Sequence, residues 1–399
     1  MITLTTPFVP EFTPYLPPAY TNKRALYFDI ETTGLSAQSS YVYLIGCATV
    51  ENGSYTLTQW MCTEPSEEKE LLRLFFSKAK DYDLLLHYNG TGFDLPFLEK
   101  KAKRHCLDYP LRHLESLDLY AAARKMKAYL PTDDLKLKSM EQFFSFSRTD
   151  TFSGGELIEV YAQFLGLYRL NELTNHSKER EVTALGHVLL LHNAEDVKNL
   201  PSLTLLLFLQ NLSIELIKGQ MLATPCLPTA ADSRLQDVLG NASLTLSALS
   251  MEYAFSFTLP ASFELSLPFD GLDIKLTLNK NGVVSVVLPV YSGELKYFYL
   301  NPADYYYLPA EDCAMHKSVA SFVEKKFRKK ATAATCYTRQ TGLFLPFYFL
   351  GTKKEAPKSM SFPCFLSDYK SAYGYTPYTE KLNTNHITEL ICFVLDSFL

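Results

Sequence analysis

The chain has 399 residues, 47% hydrophobic and 20% charged, with a formal net charge of −5. That is ordinary globular composition with room for two or three domains of roughly 150 residues. It excludes a uniformly basic surface, so contact with a polyanion must rest on local patches or bound cations.

Residues 1–22 are rich in Pro and Thr and read as an arm lying on the body. They have neither a basic start nor a continuous apolar stretch, so no signal peptide is expected. "RALYFDIE" follows as a buried strand, then "YVYLIGCATVENGSYTLTQWMCT" as two strands joined at Asn52-Gly53. "SEEKELLRLFFSKAK" (66–80) places Leu71, Leu72, Phe75 and Phe76 on one helical stripe behind an acidic first turn. "DLLLHYN" is another buried strand, "LPFLEKKAKRH" a helix, and "ESLDLYAAARKM" a short strand entering a helix. This succession implies an α/β domain, a mixed sheet with helices on its faces, over residues 23–217. Its last part, 135–215, reads as mostly helical, with Pro201 expected to kink or split the final helix. The apolar run "LPSLTLLLFLQ" (200–210) is too short to cross a bilayer, so no membrane association is expected.

Residues 218–239 read as a linker and 240–399 as a smaller α+β domain. In that domain Asn281-Gly282 and Ser292-Gly293 are the expected turns. "EDCAMHKSVASFVEKKFRKK" (311–330) is the expected helix, with Met315, Val319, Phe322, Val323 and Phe327 on one stripe. The eight cysteines contain no C-x-x-C pair, which suits neither a zinc cluster nor a disulfide framework. Reduced thiols in a cytoplasmic protein are the expectation.

Three blocks carry carboxylates where the sheet should open. In "FDIETTGL", Asp29 and Glu31 face the same side of a strand. Two converging acids there are either a strand end before a cap-like turn or half of a cation site. In "HYNGTGFDLPFL", Asp94 opens a helix and suits an N-cap, while Gly90 and Gly92 permit close approach of another group. In "LLLHNAEDV", His192 and Asp196 share a helix face four residues apart, with Glu195 as the neighbouring acid. Asp118 reads as the cap of the helix after it, and Ser153 with Glu156 as a capping box. The basic residues at 99–105, Lys136 and Lys138 suit either a solvated face or a nucleic-acid backbone. "KKFRKK" (325–330), with His316, Lys317 and Arg339, forms a basic patch, and the tyrosines at 297–307 suit strand packing or base stacking.

Taken together, Asp-x-Glu, Asn-x4-Asp and His-x3-Asp over about 170 residues of α/β sequence resemble the DEDD exonuclease superfamily on the ribonuclease H-like fold. More closely, "YFDIETTGL", "HYNGTGFDLPFLEKKAKR", "LDLYAAAR", "FSGGELIEVY" and "LHNAEDVKNLPSL" resemble its YprB-type branch, over residues 24–215. The resemblance implies four metal-ligand carboxylates, Asp29, Glu31, Asp94 and Asp196, and places His192 as general base. It implies two Mg²⁺ or Mn²⁺ ions and 3′→5′ hydrolysis of single-stranded DNA or RNA ends. Hard oxygen ligands and a two-ion mechanism suit that chemistry. Thr32, Thr33, Gly34 and Asn89 are the candidate substrate contacts. The sequence departs from better-characterised branches in placing a histidine at the spacing where they have Tyr-x3-Asp. The alternative is an inactive nucleic-acid-binding or scaffold protein on the same fold.

Overall fold

The structure is a computed structural model describing residues 1–221, 248–349, 362–379 and 382–398. The chain divides into two compact units: Met1–Asn211 with Phe257–Ala261, and Leu212–Ser256 with Ser262–Leu399. From residue 222 onward the expected linker lies outside the described residues.

The first unit is built on a six-stranded mixed sheet. Its strands are β1 (Ile2–Phe8), β2 (Ala25–Thr32), β3 (Val42–Glu51), β4 (Ser54–Met61), β5 (Leu84–His87) and β6 (Glu115–Asp118), in the order β1-β4-β3-β2-β5-β6. The N-terminal stretch, expected to be an arm, supplies the edge strand through antiparallel pairing with β4. β2 is fully buried from Ala25 to Phe28, which explains its continuous apolar run. Asn52 and Gly53 both have left-handed φ values, 51° and 79°, as a tight β3–β4 hairpin requires. β2 runs parallel to β5, and β5 to β6. Parallel pairs need crossovers, and α1 (Glu68–Ala79) and α2 (Asp94–His105) supply them. α1 buries Leu71, Leu72, Phe75 and Phe76.

α3 (Leu119–Lys125), α4 (Leu137–Phe143), α5 (Gly154–Leu173), α6 (Glu179–Leu203) and α7 (Leu205–Gln210) complete this unit. Ser153 and Glu156 form the expected capping box of α5. α6 breaks just after Pro201, whose carbonyl accepts from the Thr204 hydroxyl. α6 lies across β2, β3 and β4. Gly46 of β3, opposite Asp29 in register, permits this. A Cβ there would lie 2.1 Å from the Asn193 Oδ1 of α6.

The second unit is β-rich. It opens with α8 (Leu212–Lys218), within the span expected to belong to the first domain. β7 (Gln220–Met221), β8 (Ala248–Ala254), β9 (Phe263–Phe269), β10 (Leu272–Leu278) and β11 (Val283–Pro289) make an antiparallel sheet in the order β7-β8-β11-β10-β9. Gly282, at φ 78°, turns the chain between β10 and β11 as expected. Ser292-Gly293 does not turn. It lies inside β12 (Tyr291–Phe298), where Gly293 pairs with Gly342 and the Tyr291 ring packs over it.

The expected helix at 311–330 is also absent. β13 (Tyr305–Leu308) pairs with both β14 (Cys313–His316) and β15 (Lys329–Lys330), and only Lys317–Ala320 is helical, as α9. The Asp312 carboxylate accepts from the hydroxyls of Tyr307 and Tyr337 at 2.5 Å each, which fixes the β13–β14 hairpin. The supposed stripe is not a packing face: Val319, Phe322 and Phe327 are 56, 91 and 53% exposed. β16 (Tyr337–Phe349) and β17 (Tyr373–Pro377) join β12 in a further sheet, and α10 (Thr384–Asp396) ends the described fold.

Gly46→Ala should lower stability by about 1–3 kcal/mol through overpacking, read as a lower urea midpoint. An unchanged midpoint would show that the packing of α6 on β3 is loose.

Candidate active site

The carboxyl ends of β2 and β5 form the place where an α/β sheet presents groups to a ligand. Asp29 and Glu31 stand there on one face of β2. Asp94 opens α2, and its Oδ1 accepts from the Ile30 N–H at 3.3 Å. The N-cap of α2 is Phe93, with no side-chain cap, so Asp94 is not the N-cap that its sequence suits; its carboxylate reaches back to the strand between the two acids. Asp196 and His192 come from α6. Burial, then the charges of Asp196, Asp94 and Glu31, push Asp29 well above the usual carboxylate range. Burial, then Asp196 and Asp94, do the same to Glu31. Burial lifts Asp94 to about 7, with Asp118 and Asp196 adding to the rise and the Ile30 hydrogen bond opposing it.

His192 is buried, with Nδ1 2.7 Å from Asp150 Oδ2 and Nε2 3.5 Å from both Glu31 Oε1 and Asp196 Oδ2. Burial opposes the charge on Asp150. Hydrogen bonds from Lys138 and Arg148, together with His192, outweigh it and hold the carboxyl down at about 2. Asp150 is therefore an acceptor. It fixes Nδ1–H as donor, so that in the neutral imidazole the Nε2 lone pair faces Glu31 and Asp196.

Arg148 is the hub behind these groups. Its guanidinium lies 2.8 Å from Glu141 Oε2, 3.0 Å from Asp150 Oδ2 and 2.5 Å from Asp196 Oδ1. The Asp196 contact is an ion pair without hydrogen-bond alignment, and Asp196 Oδ1 and Arg148 Nε are both buried without a hydrogen-bond partner. Asn193, next to His192, donates to Asp29 Oδ2 at 3.1 Å and accepts from Gln59 at 2.9 Å.

Sequence reasoning missed Arg148, Asp150 and Asn193. Arg148 and Asp150 sit in an irregular segment with no periodicity, and Asn193 was overshadowed by its neighbour. Lys138, expected on a solvated face or along a nucleic-acid backbone, instead binds Asp150 and the Phe152 carbonyl. Glu195 turns away from the cluster and anchors Thr149 and Asp150 through their N–H groups.

Asp118 caps α3 by accepting from the Tyr120 N–H at 3.1 Å, and it also holds the Asn89 N–H at 2.8 Å. Asn89, at φ 60°, thereby faces a cleft of about 600 Å³. Asp29, Asp196, Tyr88, Tyr120, Arg124, Lys127 and Lys136 share that cleft. Thr32 and Thr33 bond within their own turn, to the Gly34 carbonyl at 2.9 Å and the Tyr41 N–H at 3.1 Å.

The donor set suits a hard divalent cation. Ligand atoms of Glu31, His192 and Asp196 lie within 4.8 Å of one another. The raised carboxyls of Asp29, Glu31 and Asp94 describe an acidic cluster short of positive charge. The family model of the RNase_H superfamily matches residues 26–207. That segment is a ribonuclease H-like domain.

A DNA polymerase of Methanocaldococcus jannaschii is 31% identical over 87 residues, which span 20% of this chain and 5% of the polymerase. The family B DNA polymerase of Pyrobaculum calidifontis aligns at a TM-score of 0.35 and 20% identity, over 51% of this chain and 25% of that one. E. coli exonuclease I, solved in complex with a dT13 oligonucleotide, aligns at 0.27 and 13%, over 41% of this chain and 43% of that one.

The raised carboxyls set a pH signature. Asp94 is protonated up to about pH 7 in the fold but ionises near 4 when unfolded. The folded state then binds more protons, so metal-free stability should fall as pH rises from about 4 to about 7. Asp94→Asn should flatten that fall and, at pH 8 in EDTA, melt above the wild type by more than about 1 kcal/mol. Parallel melting curves against pH would contradict the burial of this charge.

Proposed function

We propose that the ribonuclease H-like domain hydrolyses phosphodiester bonds from the 3′ end of single-stranded DNA or RNA, as a YprB-type member of the DEDD exonucleases. The observation that carries this reading is that Glu31 and Asp196 meet His192 Nε2 within 4.8 Å at the carboxyl end of β2, with Asp29 and Asp94 near enough to feel the Asp196 charge. Asp29, Glu31, Asp94 and Asp196 would hold two Mg²⁺ or Mn²⁺ ions, which in such sites activate water and neutralise charge on the reacting phosphate. His192 takes the proton of the attacking water through Nε2. Asp150 keeps that nitrogen free by holding Nδ1–H and stabilises the imidazolium once it forms. Asn193 orients Asp29. Tyr88, Tyr120 and Asn89 line a cleft of suitable size for a terminal nucleotide, and Arg124 and Lys127 supply charge for its phosphates; Lys136 is paired there with Asp134 at 3.4 Å, and Asp133 also lines the cleft.

One observation favours the inactive alternative: the Arg148 guanidinium already neutralises Asp196. Activity decides between the two readings. With Mn²⁺ and 5′-labelled single strands, the wild type should give a ladder shortening from the 3′ end. Asp29→Ala should lower the rate at least about a thousand-fold. His192→Ala should cost about 10²–10⁴, and Asp150→Asn, acting through the histidine, about 10–100-fold. No hydrolysis by the wild type of either DNA or RNA would support the binding-protein reading. Equal activity of wild type and Asp29→Ala would place the site elsewhere.

A further inference from the structure

The second unit carries a cationic surface that the acidic cluster does not use. Residues 316–330 hold six Lys or Arg side chains and a single carboxylate, Glu324, in a chain whose net charge is −5. Glu324 is matched by Lys326 at 2.9 Å. Among the described residues, Lys317, Lys325, Lys329 and Lys330 form no ion pair, and all four are exposed.

These charges are organised around one aromatic ring. Register places Lys330 and Met315 opposite Tyr306, so they share its face of the β14-β13-β15 ribbon. The Arg328 guanidinium lies 4.7 Å from the Tyr306 ring centre and Lys317 Nζ 5.8 Å from it. Arg328 also donates to the Ala320 carbonyl, which ties α9 to the ribbon and fixes the cation beside the ring. On the opposite face Tyr305 stacks on Tyr299, with centroids 4.5 Å apart and planes at 13°, and meets His316 edge-on. A half-buried aromatic ring, Tyr306, bordered by cations has the make-up of a surface that stacks a base while neutralising neighbouring phosphates.

We propose that this ribbon face, centred on Tyr306 with Lys317, Arg328 and Lys330 and extended by the exposed Lys325, binds the backbone of single-stranded nucleic acid. An extended polyanion suits it because it can lie against the Tyr306 ring, meet the three cations gathered there and reach the exposed Lys325 beyond them. The choice of nucleic acid over other polyanions rests on the nuclease reading above. Binding itself needs no hydrolysis, so the two claims fail separately.

The test is binding of the full-length chain to fluorescein-labelled oligothymidylate in EDTA across a salt series. Wild type is compared with the exposed-lysine triple Lys317→Glu, Lys325→Glu, Lys330→Glu, and with Tyr306→Leu, all checked for native melting. The triple variant should bind at least about tenfold more weakly. Its slope of log Kd against log salt should flatten by about 0.7 for each phosphate that is no longer neutralised. Tyr306→Leu should weaken binding with the salt slope kept, as expected when base stacking is removed. An unchanged Kd and slope in the triple variant would overturn the proposal. So would lysine-dependent binding to phosphatidylserine vesicles with oligothymidylate binding untouched, which would make the surface a membrane-binding face. Wild-type binding that depends on these lysines, in a protein that proves hydrolytically inert, would uphold this surface and remove only the nuclease reading.

Discussion

The repulsion among carboxylates at the carboxyl end of β2 is the constraint that the rest of the site answers. Burial does most to raise the proton affinity of Asp29, Glu31 and Asp94; the Asp196 charge adds to all three, and Asp94 adds to the first two. A fold does not gather such charges for stability. Burying a carboxylate without a counter-charge costs several kcal/mol, and an apolar residue at each position would serve the core better. The cluster is therefore a place where structure has been bent to chemistry. Its location at the parallel edge, where α2 enters beside β2, is where α/β sheets expose ligand groups.

Around that cluster the fold supplies partial compensation from behind. Arg148 touches Glu141, Asp150 and Asp196, and Lys138 holds Asp150 from the other side. Asn199 donates to Glu141 at 3.0 Å. These groups hold α4, α6 and the segment between α4 and α5 in one register. They leave Asp29 and Asp94 without a cation. The asymmetry is informative: the back of the site is neutralised by protein, and the front, facing the cleft of Tyr88 and Asn89, is not. A divalent ion bound at the front would complete the charge balance, and displacing Arg148 from Asp196 would then be a cost set against that gain.

Much of this was legible in sequence because its physics is local. Strands β2 and β5 announce themselves as apolar runs. The α1 stripe has helical spacing. Asp29 with Glu31, and His192 with Asp196, share faces by period alone. The interpretation of Asp94 needed a partner, the Ile30 N–H, that only the folded sheet brings near. Arg148 and Asp150 were invisible for the same reason: their roles are set by four elements meeting, and nothing in their own neighbourhood repeats. In the second unit the 311–330 segment misled because apolar residues at helical spacing arose in a stretch that a hairpin turn folds back on the tyrosine-rich strand Tyr305–Leu308. Pairing across β13 overrode the local pattern. Ser292-Gly293 misled similarly, since a glycine facing another strand's glycine needs no turn.

The most direct test is anomalous scattering from crystals of the full chain soaked in Mn²⁺. Peaks coordinated by oxygens of Asp29, Glu31 and Asp196 at about 2.0–2.3 Å are expected, with Arg148 drawn off Asp196. Crystals without manganese at this cluster, and with Arg148 still paired to Asp196, would contradict a metal-dependent site.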